Sequence, residues 1–165
     1  MDRPPPCVLV VVAGGDGATR AIAEALVQDM RHAGLDARAE PAEAAPGPDG
    51  CDAVVIASAV HHGRWQTPAR RYAARHAAVL SSLPVWLLSS GPLGAGPPGG
   101  DPPGVAAVRL MTGAREHLTV GGRPERDPGA RQRVVVAPDG EGRDRAPVAA
   151  LAAGIAGALT GGAAS

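Results

Sequence analysis

The chain has 165 residues, a formal net charge of zero and 45% hydrophobic residues. This length fits one domain with a sizeable core, and the balanced charge argues against nucleic acid or another polyanion as a partner. All 16 basic residues are arginine, while lysine, asparagine and phenylalanine are absent. The core must therefore be built mainly from Val, Leu and Ala.

The ends of the chain indicate its compartment. Met1–Pro6 contains three prolines, and no helix-forming apolar segment follows it, so it resembles neither a signal peptide nor a membrane anchor. No apolar run approaches the roughly 18 residues that a membrane-spanning helix needs. We expect a cytoplasmic protein without an integral membrane segment, with a disordered N-terminus (1–6), one domain (7–160) and a flexible C-terminus (161–165).

The first elements form a strand, a Gly-rich loop and a helix. Val8–Val12 is an apolar run of strand length, and a helical pattern follows from about Thr19 to Ala33, where Gly34 favours a helix end. The loop between them lies at the positive end of the helix dipole, where open α/β sheets bind phosphate. The candidate phosphate-binding residues are Gly14, Gly15, Asp16, Gly17, Ala18 and Thr19.

A second strand, a third strand and a helix follow. Asp36–Glu40 is a short edge strand, and the apolar run Ala53–Ala57 is typical of a strand buried on both faces. We interpret Ser58–Gln66 as a loop. Thr67 is the expected cap of the next helix, with Pro68 in its first turn. This helix places Ala69, Tyr72, Ala73, His76 and Leu80 on one side and Arg70, Arg71 and Arg75 mostly outside.

The rest of the chain continues the alternation of strands and helices. Its elements are a strand at Pro84–Leu88 that ends at Ser89-Ser90-Gly91, a Gly/Pro-rich loop over Gly91–Gly104, a helix at Val105–Thr112, a strand at Glu116–Val120 and a last helix at Val148–Leu159. This order predicts a doubly wound parallel sheet, with Val8–Val12 between the second and third strands.

The cysteines are too few for a disulfide framework. Cys7 and Cys51 lie at or just before the starts of two strands that we expect side by side. The two thiols should therefore lie near one another at the end of the sheet away from the ligand. We expect them to be reduced and to have no catalytic role.

Two later segments resemble a known family. They are SAVHHGRW over Ser58–Trp65 and PVWLLSSGPLG over Pro84–Gly94, and the intervening helix adds Arg70-Arg71-Tyr72 and Arg75-His76. These residues resemble flavodoxin-domain proteins related to menaquinone-dependent protoporphyrinogen oxidase. The order of elements agrees with that family from Cys7 to about Gly122.

The resemblance implies an α/β, flavodoxin-like three-layer sandwich in which helices cover both faces of a five-stranded parallel sheet. It implies FMN as cofactor and electron transfer involving a quinone or tetrapyrrole-type substrate. The loop that begins at Gly14 would hold the phosphate, and two further loops would flank the flavin ring. The flanking residues are Ser58, Ala59, Val60, His61, Gly63 and Trp65 on one side and Ser89, Ser90, Gly91, Pro92 and Leu93 on the other.

The phosphate loop departs from the family pattern. Family members usually carry hydroxyl residues where this chain has Gly14 and Ala18, which leaves Thr19 as the hydroxyl of the loop. Asp16 adds a negative charge beside a dianionic phosphate. We therefore expect FMN binding to be weak or lost, and serines at positions 14 and 18 to tighten it. In the second loop, His61 replaces the usual aromatic partner.

Several residues also have purely structural interpretations. His61-His62 lacks the spacing of a metal site, so no metal is expected. His76 and Trp86 are interpreted as packing residues, and the exposed arginines, including Arg64, either attract an acidic substrate or simply solvate a helix face. The residues offer no Ser-His-Asp order and no paired catalytic carboxylates, so any chemistry would belong to the flavin.

Two other functions remain open. The first is a cofactor-free flavodoxin-like domain that acts as a binding or regulatory module. The second is a nucleotide-binding Rossmann-like domain, although Gly15-x-Gly17 does not complete GxGxxG because Arg20 stands at the third glycine position.

Overall fold

A computed structural model describes residues 3–14, 17–61, 64–90, 104–120 and 145–161. The predicted strands and helices of these residues occur in the predicted order, with two differences: a short additional strand follows the third strand, and the helix after it is divided into two. The elements are β1 (Cys7–Ala13), α1 (Ala18–His32), β2 (Asp36–Pro41), β3 (Ala53–His61), β4 (Arg64–Trp65), α2 (Thr67–Arg75), α3 (Ala77–Leu80), β5 (Val85–Ser90), α4 (Val105–Thr112), β6 (Glu116–Val120) and α5 (Arg145–Gly161).

The main sheet is parallel and runs in the order β2-β1-β3-β5-β6. Val8 pairs with Ala37 of β2 on one side and with Ala53 of β3 on the other. The chain thus goes from β1 to one side of the sheet and then crosses to the other, which makes the gap between β1 and β3 the topological switch point. The predicted position of β1 between its two neighbours is confirmed.

Alternate residues of the strands build two cores. On one face, Val10 and Val55 pack with residues of α1 and α5, such as Leu26 and Ile155. On the other face, Val11, Ile56 and Leu87 pack beneath α2, α3 and α4. Because every residue from Val8 to Ala13 is buried, β1 lacks the polar alternation of a half-exposed strand, as expected for a parallel sheet covered on both faces.

The segment after Ala57 corrects the sequence interpretation. We expected a loop over Ser58–Gln66, but β3 continues to His61 and pairs with the antiparallel strand β4. The physical reason is a cross-strand pair of apolar side chains, Val60 and Trp65, which are both buried. The backbone N–H of Gln66 then donates to Ser58 Oγ at 3.0 Å, which fixes the returning chain.

The helix after β4 also differs from expectation. Gln66 is the N-cap residue of α2 and Thr67 is its first residue, so Thr67 is not the cap. Thr67 Oγ1 instead accepts a hydrogen bond from Arg70. The continuous helix expected as far as Leu80 is broken at His76, which separates α2 from α3. The predicted inner side is otherwise confirmed, since Ala69, Tyr72, Ala73 and Leu80 are buried.

Candidate functional site at the carboxyl edge of the sheet

Three parallel strands end side by side at one edge of the sheet, here called the carboxyl edge. Ala13 pairs with Ser58, and Ser58 pairs with Ser89, so the end of β1 and the penultimate residue of β5 lie in one row with Ser58, after which β3 continues for three residues into its hairpin with β4. The segments after these strands are the three that we expected to meet over a ligand. Ligands of open α/β sheets bind beyond the carboxyl ends of the strands at a switch point, and this row spans that point.

The described residues include only part of the predicted site. Gly14, Gly17, Thr19, Ser58, Ala59, Val60, Trp65, Ser89 and Ser90 are described with their side chains, whereas Ala18 and His61 are described through their backbone. The predicted positions Gly15, Asp16, Gly63, Gly91, Pro92 and Leu93 lie outside the described residues. The described part of the site consists of the strand ends and the start of α1.

Two buried serines at this edge fix neighbouring chain segments. Ser58 and Ser89 have no exposed surface. Ser58 donates to the carbonyl of Ala59 at 2.9 Å while it accepts from the Gln66 N–H. Ser89 accepts from the indole N–H of Trp65 at 2.7 Å. Each hydroxyl thus joins the end of a central strand to the β4 hairpin, and the cost of burying it is offset by hydrogen bonds.

Trp65 lies within this network. Its side chain is only 2% exposed and packs in the core beneath α2 and α4. Its ring meets the imidazole of His117 edge-on, with the centroids 6.5 Å apart. The indole is enclosed and its N–H donates to Ser89. Trp65 therefore stabilises the packing of β4 against β5 at the carboxyl edge.

His117 is a member of this network that sequence reasoning missed. Its Nε2 lies 2.6 Å from Ser89 Oγ, and β6 places it beside Leu87. With Trp65 donating to Ser89, the serine hydroxyl can donate in turn to an unprotonated His117 Nε2. The only sequence signal was a polar residue within a strand of the sheet, which does not reveal the partner on β5.

The start of α1 supplies the clearest sign of a binding site. Thr19 has no exposed surface, and its hydroxyl oxygen has no hydrogen-bond partner among the described residues. Gly17 is the N-cap residue with φ +80°, a conformation that glycine adopts readily, and no described side chain caps the helix. The first N–H groups of α1 lack intrahelical partners by geometry, so they and Thr19 can receive an anion.

The Thr19 side chain packs closely against Gly14. A Cβ atom at position 14 would stand 3.0 Å from both Cβ and Oγ1 of Thr19, which is too close for comfortable packing. The Thr19 side chain therefore takes up the space that a side chain at position 14 would need. A serine at position 14 would push against the Thr19 hydroxyl, so from the structure we expect it to weaken phosphate binding, in contrast to the expectation from the sequence.

A small cleft lies beside Gly14, between the ends of β1 and β2. Its volume is about 100 Å³, and its lining includes Glu24, Glu40 and Glu43. Arg20 is the one arginine among the described residues of the lining, and it forms an exposed pair with Glu24 at 3.3 Å. This excess of carboxylates disfavours a phosphate in the cleft itself, so an anion is better placed against the helix N–H groups.

The opposite end of the sheet, here called the amino edge, contains the two cysteines. The Sγ atoms of Cys7 and Cys51 lie 3.7 Å apart, and both residues are free thiols. The expected proximity is therefore confirmed. Burial, reinforced by Cys7, raises the pKa of Cys51 to about 11, so its thiol stays protonated at neutral pH.

Two further properties bound what the described residues can do. No group of three or more His, Cys, Asp and Glu side chains within them could hold a metal ion. None of their helices has both the length and the apolar character needed to cross a bilayer.

The fold and the row of strand ends define a doubly wound α/β protein, and proteins of this class bind their ligands at the switch point. The family model described as "Flavodoxin domain" matches residues 9–103. The chain therefore belongs to the flavodoxin domain family. No curated protein sequence gives a significant match.

Solved structures show the same fold at low sequence identity. Rubredoxin oxygen:oxidoreductase from Desulfovibrio gigas has a TM-score of 0.70 and 15% identity over 98% of this chain, which spans only 38% of that longer protein. A flavodoxin from the domain Archaea has a TM-score of 0.64 and 17% identity, covering 93% of this chain and 98% of that one. A mutant form of the flavodoxin from Pseudomonas aeruginosa has a TM-score of 0.62 and 16% identity, covering 93% of this chain and 98% of that one.

Proposed function

We propose that this chain is a flavodoxin-type protein that binds FMN and transfers electrons. The observation that supports it most is the buried, unpartnered hydroxyl of Thr19 at the uncapped start of α1. A buried hydroxyl without a partner costs about 1–3 kcal/mol, which a bound phosphate would offset. The family match and the flavodoxin-like neighbours support the same ligand class.

Each part of the edge has a role in this proposal. The N–H groups of the first turn of α1 and the Thr19 hydroxyl hold the phosphate. The segments Ser58–Trp65 and Ser89–Leu93 flank the ring, and the hydrogen bonds of Ser58 and Ser89 keep their starting points in place. FMN, when bound, supplies the redox chemistry, and the chain supplies position and electrostatics.

The affinity and the partner are narrower parts of the proposal. We expect weak FMN binding, because Asp16 adds a negative charge to the phosphate loop. Exposed arginines on and near α2, namely Arg64, Arg70, Arg71 and Arg75, favour an acidic partner, and the sequence resemblance names a quinone or a tetrapyrrole. A reducing cytoplasmic setting fits two free thiols.

The test compares FMN with riboflavin, since only FMN carries the phosphate. Thr19→Val keeps the shape of the side chain and removes the hydroxyl. Thr112→Val is the matched control, because Thr112 is also buried in a helix but its hydroxyl already donates to the carbonyl of Val108 at 2.7 Å. We expect Thr19→Val to weaken FMN binding about tenfold or more, and to leave riboflavin binding unchanged. Thr112→Val should change neither affinity.

The same variants test the unliganded protein. Removal of an unpartnered hydroxyl should raise the free energy of unfolding by about 1 kcal/mol in Thr19→Val, whereas Thr112→Val should not raise it. Fluorescence titration of the flavin and urea unfolding measure the two effects. Wild-type protein that binds neither flavin would contradict the proposal and favour the cofactor-free module. An equal loss of affinity for FMN and riboflavin in Thr19→Val would show that Thr19 does not bind the phosphate.

A further inference from the structure

The amino edge contains a pair of thiols that the proposed function does not use. Cys7 is the first residue of β1, and Cys51 lies two residues before the start of β3. Cys7 is half-buried and Cys51 is buried, and their sulfur atoms lie 3.7 Å apart although the residues are 44 positions apart in the chain. This proximity is a property of the fold, because β1 and β3 are paired strands.

Two hydrogen bonds fix the start of β1 beside the residue that follows Cys51. The N–H of Asp52 donates to the carbonyl of Cys7 at 2.8 Å, and the N–H of Cys7 donates to the Asp52 carboxylate at 2.8 Å. These two bonds join the start of β1 to the residue that follows Cys51. A disulfide has a sulfur–sulfur bond of about 2.05 Å, so the sulfur atoms, now 3.7 Å apart, need to approach by less than about 2 Å.

We propose that Cys7 and Cys51 form a redox-active dithiol that small-molecule disulfides such as oxidised glutathione convert into an intramolecular disulfide. In the first step, the Cys7 thiolate attacks one sulfur of oxidised glutathione and releases one glutathione. In the second step, Cys51 loses its proton and attacks the Cys7 sulfur, which releases the second glutathione. The protein gives up two electrons and two protons, and oxidised glutathione becomes two molecules of reduced glutathione.

The surroundings of the thiols set the order of these steps. Cys7 is the more exposed of the two residues, so in this proposal it reacts first. Burial is the main cause that raises the pKa of Cys51 to about 11; Cys7 and Asp52 raise it further, and Arg38 lowers it. Tyr72 lies near enough for Cys51 to raise its pKa as well. Because the thiolate is the nucleophile, closure should speed up about tenfold per pH unit between pH 7 and 9.

The disulfide would close a loop that contains β1, α1 and β2. A cross-link of this span restricts the unfolded chain far more than the folded one, so oxidation should stabilise the protein. We expect the melting temperature to rise by about 5–15 °C on oxidation, with no flavin required.

The experiment incubates the folded full-length chain with oxidised glutathione and follows intact mass, free thiols and melting temperature. Wild type should lose about two mass units and both thiols, since two hydrogens leave, and proteolytic peptides should contain Cys7 joined to Cys51. In Cys51→Ala the reaction should stop after the first step, with a stable glutathione adduct on Cys7. Cys7→Ala should keep the buried Cys51 thiol free.

Wild type answers the question even if a variant does not fold. Folded wild-type protein that keeps two free thiols, or that takes up glutathione without forming the internal bridge, would overturn the proposal. So would a bridge that forms at the same rate at pH 7 and pH 9. None of these readouts depends on FMN, so they are separate from the test of Thr19.

Discussion

The two edges of the sheet differ in how their polar groups are hydrogen-bonded. At the amino edge, Cys7 and Asp52 exchange two hydrogen bonds, and towards the same edge the Tyr72 hydroxyl donates to the carbonyl of Pro46 at 2.8 Å. At the carboxyl edge, Ser58 and Ser89 are bonded, but the Thr19 hydroxyl has no partner in the described part of the chain. Among the described residues, the polar groups named at the amino edge are thus paired within the protein, whereas the carboxyl edge retains one buried hydroxyl without a partner.

Within the carboxyl edge, some polar groups stabilise the fold and another is proposed to bind FMN. The groups that hold the strand ends together form a closed network around Ser89. The group that faces the predicted phosphate position is the one left without a partner in the described part of the chain. Changes in the network should therefore act mainly by lowering the free energy of unfolding, whereas changes at the start of α1 should also alter FMN affinity.

The largest expected effect is at Trp65, in the supporting network. Trp65→Ala removes a fully enclosed indole and leaves the Ser89 hydroxyl without its donor. It should lower the free energy of unfolding by about 3–5 kcal/mol. Trp65→Phe is the control, since it retains most of the bulk and loses the N–H bond, and it should lower it by about 1–2 kcal/mol. Urea unfolding that gives less than about 1 kcal/mol for Trp65→Ala would show that this network does not support the edge.

The next largest effect is at Gly14, where a substitution should change both the free energy of unfolding and FMN affinity. Gly14→Ser places a Cβ 3.0 Å from Thr19 and should lower the free energy of unfolding by about 1–2 kcal/mol. It should also weaken FMN binding more than riboflavin binding, because it displaces the hydroxyl that we propose to bind the phosphate. Gly154→Ala in α5 is the control, since a Cβ there meets nothing within 4 Å, and it should raise stability by up to about 1 kcal/mol. Tighter FMN binding in Gly14→Ser would contradict this account of the loop.

The sequence predicted the fold better than the site, for a physical reason. Buried runs such as Val8–Val12 and the helical stripe with Leu26 and Met30 are local patterns, and the strand order follows from their alternation. The continuation of β3 past Ala57 was missed, because it depends on Val60 meeting Trp65 across a hairpin.

The site depends still more on contacts between distant residues. Ser89 and Trp65 both belonged to the predicted site, but their mutual hydrogen bond spans 24 positions and gives no local signal. The contact of His117 with Ser89 likewise spans 28 positions. Thr19 was predicted as the hydroxyl of its loop, and its close approach to Gly14 became visible only in three dimensions.

A smaller effect tests the amino edge. Burial, with Cys51 and Asp49, raises the pKa of Tyr72 to about 12. A raised pKa means that the folded state keeps its proton longer than the unfolded state, so this contribution is present below about pH 10 and is lost as the pH rises towards 12. Tyr72→Phe should cost about 1 kcal/mol at neutral pH through the lost bond to Pro46, and it should lose less stability than wild type above pH 10.

Tyr72 is the only tyrosine in the chain, so the ultraviolet absorbance of tyrosinate reports its titration directly. A midpoint near pH 10 in the folded protein would contradict the enclosed amino edge. Cys51 shifts in the same direction, so the stability curves of Cys51→Ala and wild type should be compared over the same alkaline range.

The smallest expected effect is at Asp16, which bears only on recognition. Asp16→Asn removes one negative charge from the loop while it keeps the size of the side chain. Charges near a helix N-terminus are worth about 0.3–1 kcal/mol, so FMN binding should tighten by roughly twofold to fivefold, and riboflavin binding should not change. Added salt screens charge, so the difference between Asp16→Asn and wild type should shrink as ionic strength rises. Glu43→Gln is the control, because Glu43 lies in the cleft beside Gly14 and outside the phosphate loop, and it should have the weaker effect. An equal gain in affinity for both flavins in Asp16→Asn would mean that the charge acts on the flavin ring or on the fold. That result would contradict a phosphate position at the start of α1.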